Sequence, residues 1–488
     1  MLRTSSNART TTRGPAPTTR TWPVVLAACA GQFLVVLDVS VVNVALPSMR
    51  TSLDLSATGL QWVVNAYAIA FAGFMLLGGR AGDLFGRKRM FLVGLGLFTL
   101  ASLAGGLAQQ EWHLLVARAV QGLGAAVLAP STLTILTSAV PEGAARARAI
   151  ATWTAVGAGG GAAGGLVGGV LTDALSWRWV LLINVPVGAL VLVGAARWIS
   201  ESRAAGARRL DLPGAVLVTA GTATLAYGIV QTEARGWTAA ATLVPLLAGL
   251  LLIGLFLAAE ARTTLPLMPL KLFRVRAVAA ANAAMFVCGA GSFGMWFFMT
   301  LYAQNVLGYS PLRAGLALIP SSLSVVAASK FAPRLMPRFG ARNLAFAGIL
   351  ITVAGFGWQS TMTAHGAYVT SIMLPGMLMM AGAGLAMTPL TSLATSGAAP
   401  GDAGLVSGLV NTSRTLGGSL GLAVLSTVAA SRTRGGTGAE ALTEGYALAF
   451  RCGGFILLAG ALLMLVWMPG RRKQVIGRPV AASEPSGD

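Results

Sequence analysis

WPVVLAACAGQFLVVLDVSVVNVAL, residues 22–46, is the stretch that decides the fold of this chain. As a helix it is long enough to cross the roughly 30 Å hydrocarbon core of a bilayer. It also carries a carboxylate, Asp38, well inside the apolar run. A buried carboxylate is costly unless it is paired, wetted or protonated. Of the 15 acidic residues, only Asp38 lies deep in an apolar stretch. A group that gains by accepting a proton, in a chain that is mostly membrane, is a candidate proton-coupling site.

Outward from this segment the pattern repeats. The 488 residues are 55% apolar and 10% charged, with a mean hydropathy of +0.73; a soluble protein carries about a quarter charged residues. Fourteen apolar stretches occur, near 22–46, 60–79, 90–108, 113–136, 149–172, 178–199, 213–231, 241–259, 278–302, 314–333, 343–361, 368–390, 404–430 and 447–468. The expected architecture is an all-α integral membrane protein of 14 transmembrane helices. Basic stretches at 197–212 and 260–277 bracket two plain spans, which gives a 6+2+6 plan. Two repeated halves with an insert follow from that plan. The expected units are a disordered tail at 1–21, a six-helix bundle at 22–200, a two-span insert with its flanking loops at 201–277, a second bundle at 278–470 and a tail at 471–488.

The net charge of +20 reports topology, not a nucleic-acid partner. With both termini in the cytoplasm, external loops hold six cations (Arg50, Arg178, Arg235, Arg313, Arg432 and Arg434), spans hold three (Arg118, Arg414 and Arg451) and the other 26 face inward. This is the positive-inside bias. Arg outnumbers Lys 31 to 4 in an Ala- and Gly-rich chain, a composition that suits a bacterium of high G+C content. Cys29, Cys288 and Cys452 are far apart in sequence, and the two histidines are scattered. Neither a disulfide framework nor a metal site is indicated, and no cofactor is expected beyond the proton gradient.

Four motifs resemble those of the major facilitator superfamily, and more closely its fourteen-span drug:proton antiporter family, over roughly 22–468. Gly79-x-x-x-Asp83-x-x-Gly86-Arg87-Lys88 is similar to the signature between spans 2 and 3. Arg118-x-x-Gln121-Gly122-x-Gly124 resembles the span 4 motif of proton-coupled members. Leu37-Asp38-x-Ser40-Val41-Val42-Asn43-Val44-Ala45-Leu46-Pro47 resembles the first-span motif of the fourteen-span exporters, and Ser176-Trp177-Arg178-Trp179 with Asn184-Val185-Pro186 matches the same family. In span 5, Gly157, Gly161, Gly164, Gly165, Gly168 and Gly169 keep the glycines of the antiporter motif, but Gly165 stands where that family carries proline.

The resemblance implies the major facilitator fold, with spans 1 and 4 facing a central cavity. On ideal helices Asp38 and Arg118 lie at comparable depths, about 12 Å and 8 Å from the outer ends of their spans. An arginine nearby favours the charged carboxylate and burial disfavours it, so alternating wetting would switch proton affinity. The alternative is an ion pair that only fixes helix register. Gly79, Asp83, Gly86, Arg87 and Lys88 are implied to form a latch between the halves, with Glu142 a candidate partner for Arg87; plain topological retention is the other reading of the basic pair. The span 5 glycines act either as a hinge or as static close packing. Arg414, about 15 Å into span 13, meets the cavity, bonds backbone carbonyls or snorkels. Met295, Trp296, Phe298 and Tyr302 make a soft aromatic surface suited to varied ligands, or ordinary packing. Gln32, Asn43, Asn65, Gln304 and Asn411 are further polar cavity candidates.

The implied function is proton-driven export of small amphiphilic compounds by alternating access, from the bacterial cytoplasmic membrane, by a monomer that is not an enzyme. A proton-linked nutrient importer shares the fold and the charged pair. A transport-dead sensor and a membrane-embedded lipid enzyme are further alternatives, the last lacking the usual acid, His or Cys cluster.

Overall fold

The computed structural model describes residues 21–141, 144–202, 210–263, 266–395, 403–433, 436 and 438–468. The described chain is helical, and fourteen long helices follow one another: α1 (Thr21–Leu53), α2 (Ala57–Phe85), α3 (Arg87–Gly106), α4 (Glu111–Ala139), α5 (Ala144–Ala174), α6 (Trp179–Trp198, broken at Ile183), α7 (Leu212–Arg235), α8 (Ala240–Arg262), α9 (Arg276–Val306), α10 (Pro311–Phe339), α11 (Ala341–Gln359), α12 (Val369–Thr395), α13 (Ala403–Thr433) and α14 (Ala439–Trp467). Thirteen of them are long and apolar enough to cross a membrane. The exception is α13, in which Asn411 and Arg414 sit among Ser, Thr and Gly residues. Helices satisfy their backbone groups internally, which hydrocarbon requires. Their outward sides are apolar: Leu190, Leu250, Phe455 and Val466 are exposed, Val466 by 88%.

Local chemistry sets the ends. Ser56 caps α2 by accepting from Gly59 N at 2.9 Å, and Ser310 caps α10, with Pro311 in the first turn. The predicted first span ends at Leu46, but α1 continues through Pro47 to Leu53. Thr51 Oγ1 donates to the Pro47 carbonyl at 3.1 Å in that extra turn. π-Helical turns end α9 at Tyr302–Val306 and begin α12 at Val369–Met373.

The same packing scheme occurs twice. In the first half α2 packs on α4, α3 on α4 and α1 on α5; in the second α10 packs on α12, α11 on α12 and α9 on α13. The two remaining helices, α7 and α8, pack on each other, and α7 leans on α2 and α13. The halves meet through α2 with α13, α5 with α10, and α1 with the start of α10 and the end of α9. One face of the bundle carries Arg80, Arg87, Lys88, Arg89, Arg262, Lys271, Arg274 and Arg338 at helix ends; it is called the basic face below.

Candidate functional site

Asp38 is fully buried, and three side chains from two other helices converge on it. Arg118 Nη1 of α4 donates to Oδ2 at 2.6 Å. Gln121 Nε2, one turn along α4, donates to Oδ1 at 2.7 Å. Asn184 Nδ2 of α6 donates to the same oxygen at 2.9 Å. Arg118 is held in turn: its Nε donates to the Val63 carbonyl at 3.1 Å, its Nη1 reaches Gln121 Oε1 at 2.6 Å, and its guanidinium lies 4.4 Å from the Tyr67 ring centroid. Ser102 Oγ accepts from Gln121 Nε2 at 2.7 Å and donates to the Phe98 carbonyl at 2.8 Å. Close approach of α4 to α2 makes this possible, because a β-carbon on Gly122 would stand 2.3 Å from the Tyr67 carbonyl oxygen.

Every partner of Asp38 is a donor, so the network fits the ionised carboxylate. A proton on Oδ2 requires Arg118 to let go. One buried ion pair and two amide hydrogen bonds join α1 to α4 and α6 at this carboxylate. Asn184 Oδ1 and Tyr67 Oη are buried without hydrogen-bond partners, so acceptor capacity is already in place beside the pair.

The sequence motifs contain Gln121 and Asn184, but nothing in their spacing gives them this role. Asn184 carries one readable signal, an amide in the apolar run VLLINVPVGALVLV. Ser102 and Tyr67 carry none that separates them from packing residues.

The signature turn after α2 is built by a residue that sequence reasoning missed. Glu201, just past α6, accepts from Lys88 N at 3.1 Å and from Arg89 N at 3.1 Å, which caps α3 with a carboxylate. Gly86 has φ +109°, and a β-carbon there would stand 2.5 Å from Glu201 Oε1. Lys88 Nζ donates to the Ala196 carbonyl at 2.6 Å, and Arg87 N to the Ser202 carbonyl at 3.0 Å. The bonds of Lys88 and Glu201 therefore tie the turn to the end of α6, within the first half. Gly79 and Gly82 pack toward Pro130 and Ser131 of α4. Asp83 is in the last turn of α2 and its side chain lies outside those described, as does Glu142. Glu201→Ala is expected to lower stability by about 1–2 kcal/mol, with Glu201→Gln in between, as read from thermal unfolding in detergent.

Four of the six span 5 glycines turn to α1 and the other two to α10. Gly157 packs toward Gln32, Gly164 against Ser40 and Gly168 against the Val41 backbone, all on α1. The Gly161 carbonyl accepts from Ser40 Oγ at 2.8 Å. Gly165 and Gly169 turn instead to α10, where Gly165 meets Gly315 and Gly169 meets Pro311 and Leu312. Two further bonds join the halves at this end, away from the basic face. Gln304 Nε2, in the π-turn of α9, donates to the Val44 carbonyl at 2.8 Å, and Leu312 N donates to Asp173 Oδ2 at 3.1 Å.

The other candidates are dispersed. Met295, Phe298 and Tyr302 are fully buried in the core of the second half. Phe298 packs on Tyr446 and Phe450, and Tyr302 Oη donates to the Thr363 carbonyl at 2.7 Å. Trp296 is half-buried against that core. Asn43 Nδ2 donates to Val39 on its own helix at 2.8 Å. Asn65 is buried with no partner on either amide atom. Arg414 Nη2 reaches Asn411 Oδ1 at 3.0 Å, and Asn411 Nδ2 reaches Met75 Sδ across the halves at 3.6 Å.

Residues 28–422 match the family model described as Major Facilitator Superfamily. The chain is 48% identical over 432 residues to the cephamycin export protein CmcT of Amycolatopsis lactamdurans, covering 88% of this chain and 89% of that protein. It is 37% identical to the puromycin resistance protein of Streptomyces alboniger, covering 94% and 93%. In fold it is similar to the POT family transporter PepTSo, with a TM-score of 0.69 at 15% identity over 92% of this chain and 97% of that one.

Proposed function

The chain belongs to the Major Facilitator Superfamily, and from that premise we propose that it exports small amphiphilic compounds, antibiotics among them, in exchange for protons. It is a secondary transporter and a multi-pass protein of the bacterial cytoplasmic membrane. The outward direction rests on relatives named for export and resistance. The exchange for protons rests on one observation: a fully buried aspartate held by an arginine and two amides.

We place the basic face in the cytoplasm, since retained cations mark the inner side. Residues 22–200 and 278–470 are the two moving halves and 201–277 the insert. The contacts of Gly165 with Gly315 and of Gln304 with Val44 then lie at the outer end, and they belong to a conformer closed to the outside. In this conformer Asp38 is charged and engaged by Arg118. Substrate enters from the cytoplasmic side or the inner leaflet. The halves rock, the outer end opens, and a proton from outside neutralises Asp38 and frees Arg118. Substrate leaves, and the protonated form returns inward to release its proton. Each ligand moves the equilibrium only by its difference in affinity for the two conformers.

The test is uptake of a panel of lipophilic dyes and antibiotics into energised inverted membrane vesicles. Accumulation that collapses on adding a protonophore is expected. Accumulation that survives the protonophore would remove proton coupling, and no accumulation of any panel compound by folded protein would remove the export reading.

A further inference from the structure

A pair of acids sits close together far along the chain from Asp38, in the α7–α8 insert. Asp211 caps α7, its Oδ1 accepting from Gly214 N at 3.0 Å. Glu260, in the last turn of α8, is 3% exposed. Its oxygens accept from Leu267 N at 3.2 Å and from Met268 N at 2.9 Å. The sequence reading ends that span at 259 and leaves Glu260 outside it, but the helix runs to Arg262 and carries the acid in. A β-carbon built on Gly214 would stand 2.7 Å from Asp211 Oδ2 and 2.9 Å from Glu260 Oε1, so the two oxygens crowd one point. Asp211 is only 8% exposed, and its Oδ2 has no hydrogen-bond partner.

Among the described residues no cation neutralises them; Arg203, Arg208 and Arg209 lie outside those residues. Arg80 of α2 reaches the Pro266 carbonyl. Arg262, Lys271, Arg274 and Arg276 are exposed. On α13, Arg414 bonds Asn411 and Arg432 pairs with Glu444. Among the described residues neither acid makes an ion pair. Two carboxyl groups this close and out of water resist ionising together, and a proton shared between them relieves the repulsion. The open valence of Asp211 Oδ2 is the acceptor such a proton needs.

We infer that Asp211 and Glu260 hold one proton between them, forming a proton-binding site separate from Asp38 that fastens the α7–α8 pair to the loop at 266–268. The same loop anchors Arg80, which directly follows Gly79 of the signature motif. Removing the proton sets two negative charges against each other, loosens the grip of Glu260 on Leu267 and Met268, and frees the carbonyl that Arg80 holds. The insert thereby braces α2 in a way that responds to pH on the basic face. This inference does not rest on the transport reading.

The experiment is infrared spectroscopy of the purified full-length protein across a pH series. Wild type is expected to show the carbonyl stretch of a protonated carboxylic acid at neutral pH, lost on alkalinisation. Glu260→Gln and Asp211→Asn should each abolish it, and Asp38→Asn should leave it in place. A spectrum with no such band at neutral pH overturns the inference, as does a band that survives both insert variants. Thermal unfolding gives an independent readout. A folded state that binds more protons than the unfolded one loses stability as pH rises. The wild-type midpoint should therefore fall as the band titrates, whereas that of Glu260→Gln, which keeps a donor facing Asp211, should not. Equal slopes in the two proteins would also overturn it.

Discussion

Asp38→Asn is expected to abolish proton-driven accumulation, leaving vesicle uptake at the level of protonophore-treated wild type, in a protein that still folds. The carboxylate accepts from Arg118, Gln121 and Asn184. An asparagine keeps one oxygen, which can still accept from the two amides. Its amide nitrogen is a donor, and it faces Arg118 Nη1, which is also a donor. The arginine then rests on the Val63 carbonyl, Gln121 Oε1 and the Tyr67 ring. That arrangement imitates the protonated transporter permanently, so proton binding no longer distinguishes the two conformers and no gradient can be used. Asp38→Ala is a harsher change, because it leaves a buried guanidinium without its partner, and its stability should fall by about 3 kcal/mol or more. The Asn variant therefore carries the functional test, with thermal unfolding as the check on folding. Retained accumulation in well-folded Asp38→Asn would make the pair a register device and place coupling elsewhere.

The sequence made the architecture legible because hydrocarbon leaves little freedom. Only helices satisfy the backbone across a bilayer, and apolar length and cation placement mark each one. The pairing of Asp38 with Arg118 was legible for a related reason: two charges at similar depth in apolar helices have few other partners. What escaped was whatever depends on which helix lies beside which. Asn184 looked like one polar residue in a span, yet its amide closes the Asp38 cage. Glu201 stood in a basic loop with no spacing to connect it to Lys88 and Arg89, more than 100 residues earlier. The aromatic run in span 9 has the composition of either a ligand surface or ordinary packing, and the burial of Met295, Phe298 and Tyr302 in the second-half core takes the packing side. Composition does not say which way a fully apolar helix faces. For the glycines of span 5, spacing does not say which neighbour each one meets: four meet α1, and Gly165 and Gly169 meet α10.

Gly315→Ala is expected to hold the outer end open and lower transport by at least about tenfold. A β-carbon at 315 would stand 2.0 Å from the Gly165 carbonyl oxygen and 2.7 Å from its carbonyl carbon. An ordinary contact needs about 1.5 Å more, and backbone on both sides leaves no flexible atom to give way. The substitution is not symmetric. A β-carbon at 165 would lie 3.1 Å from the Gly315 oxygen, close enough that a shift of a few tenths of an ångström relieves it. Gly165→Ala should therefore transport at close to the wild-type rate. Overpacking of this kind costs about 1–3 kcal/mol, and only the closed conformer is penalised, which moves the equilibrium between conformers about 5- to 150-fold toward the open one. The shift is measurable apart from transport. In an Asn43→Cys background, labelling from outside by a membrane-impermeant maleimide should quicken when Gly315→Ala is added and stay unchanged with Gly165→Ala. Unaltered labelling and transport in Gly315→Ala would mean that α5 and α10 do not close on each other there during the cycle. Equal losses from both alanines would mean that the glycines serve helix flexibility rather than the seal.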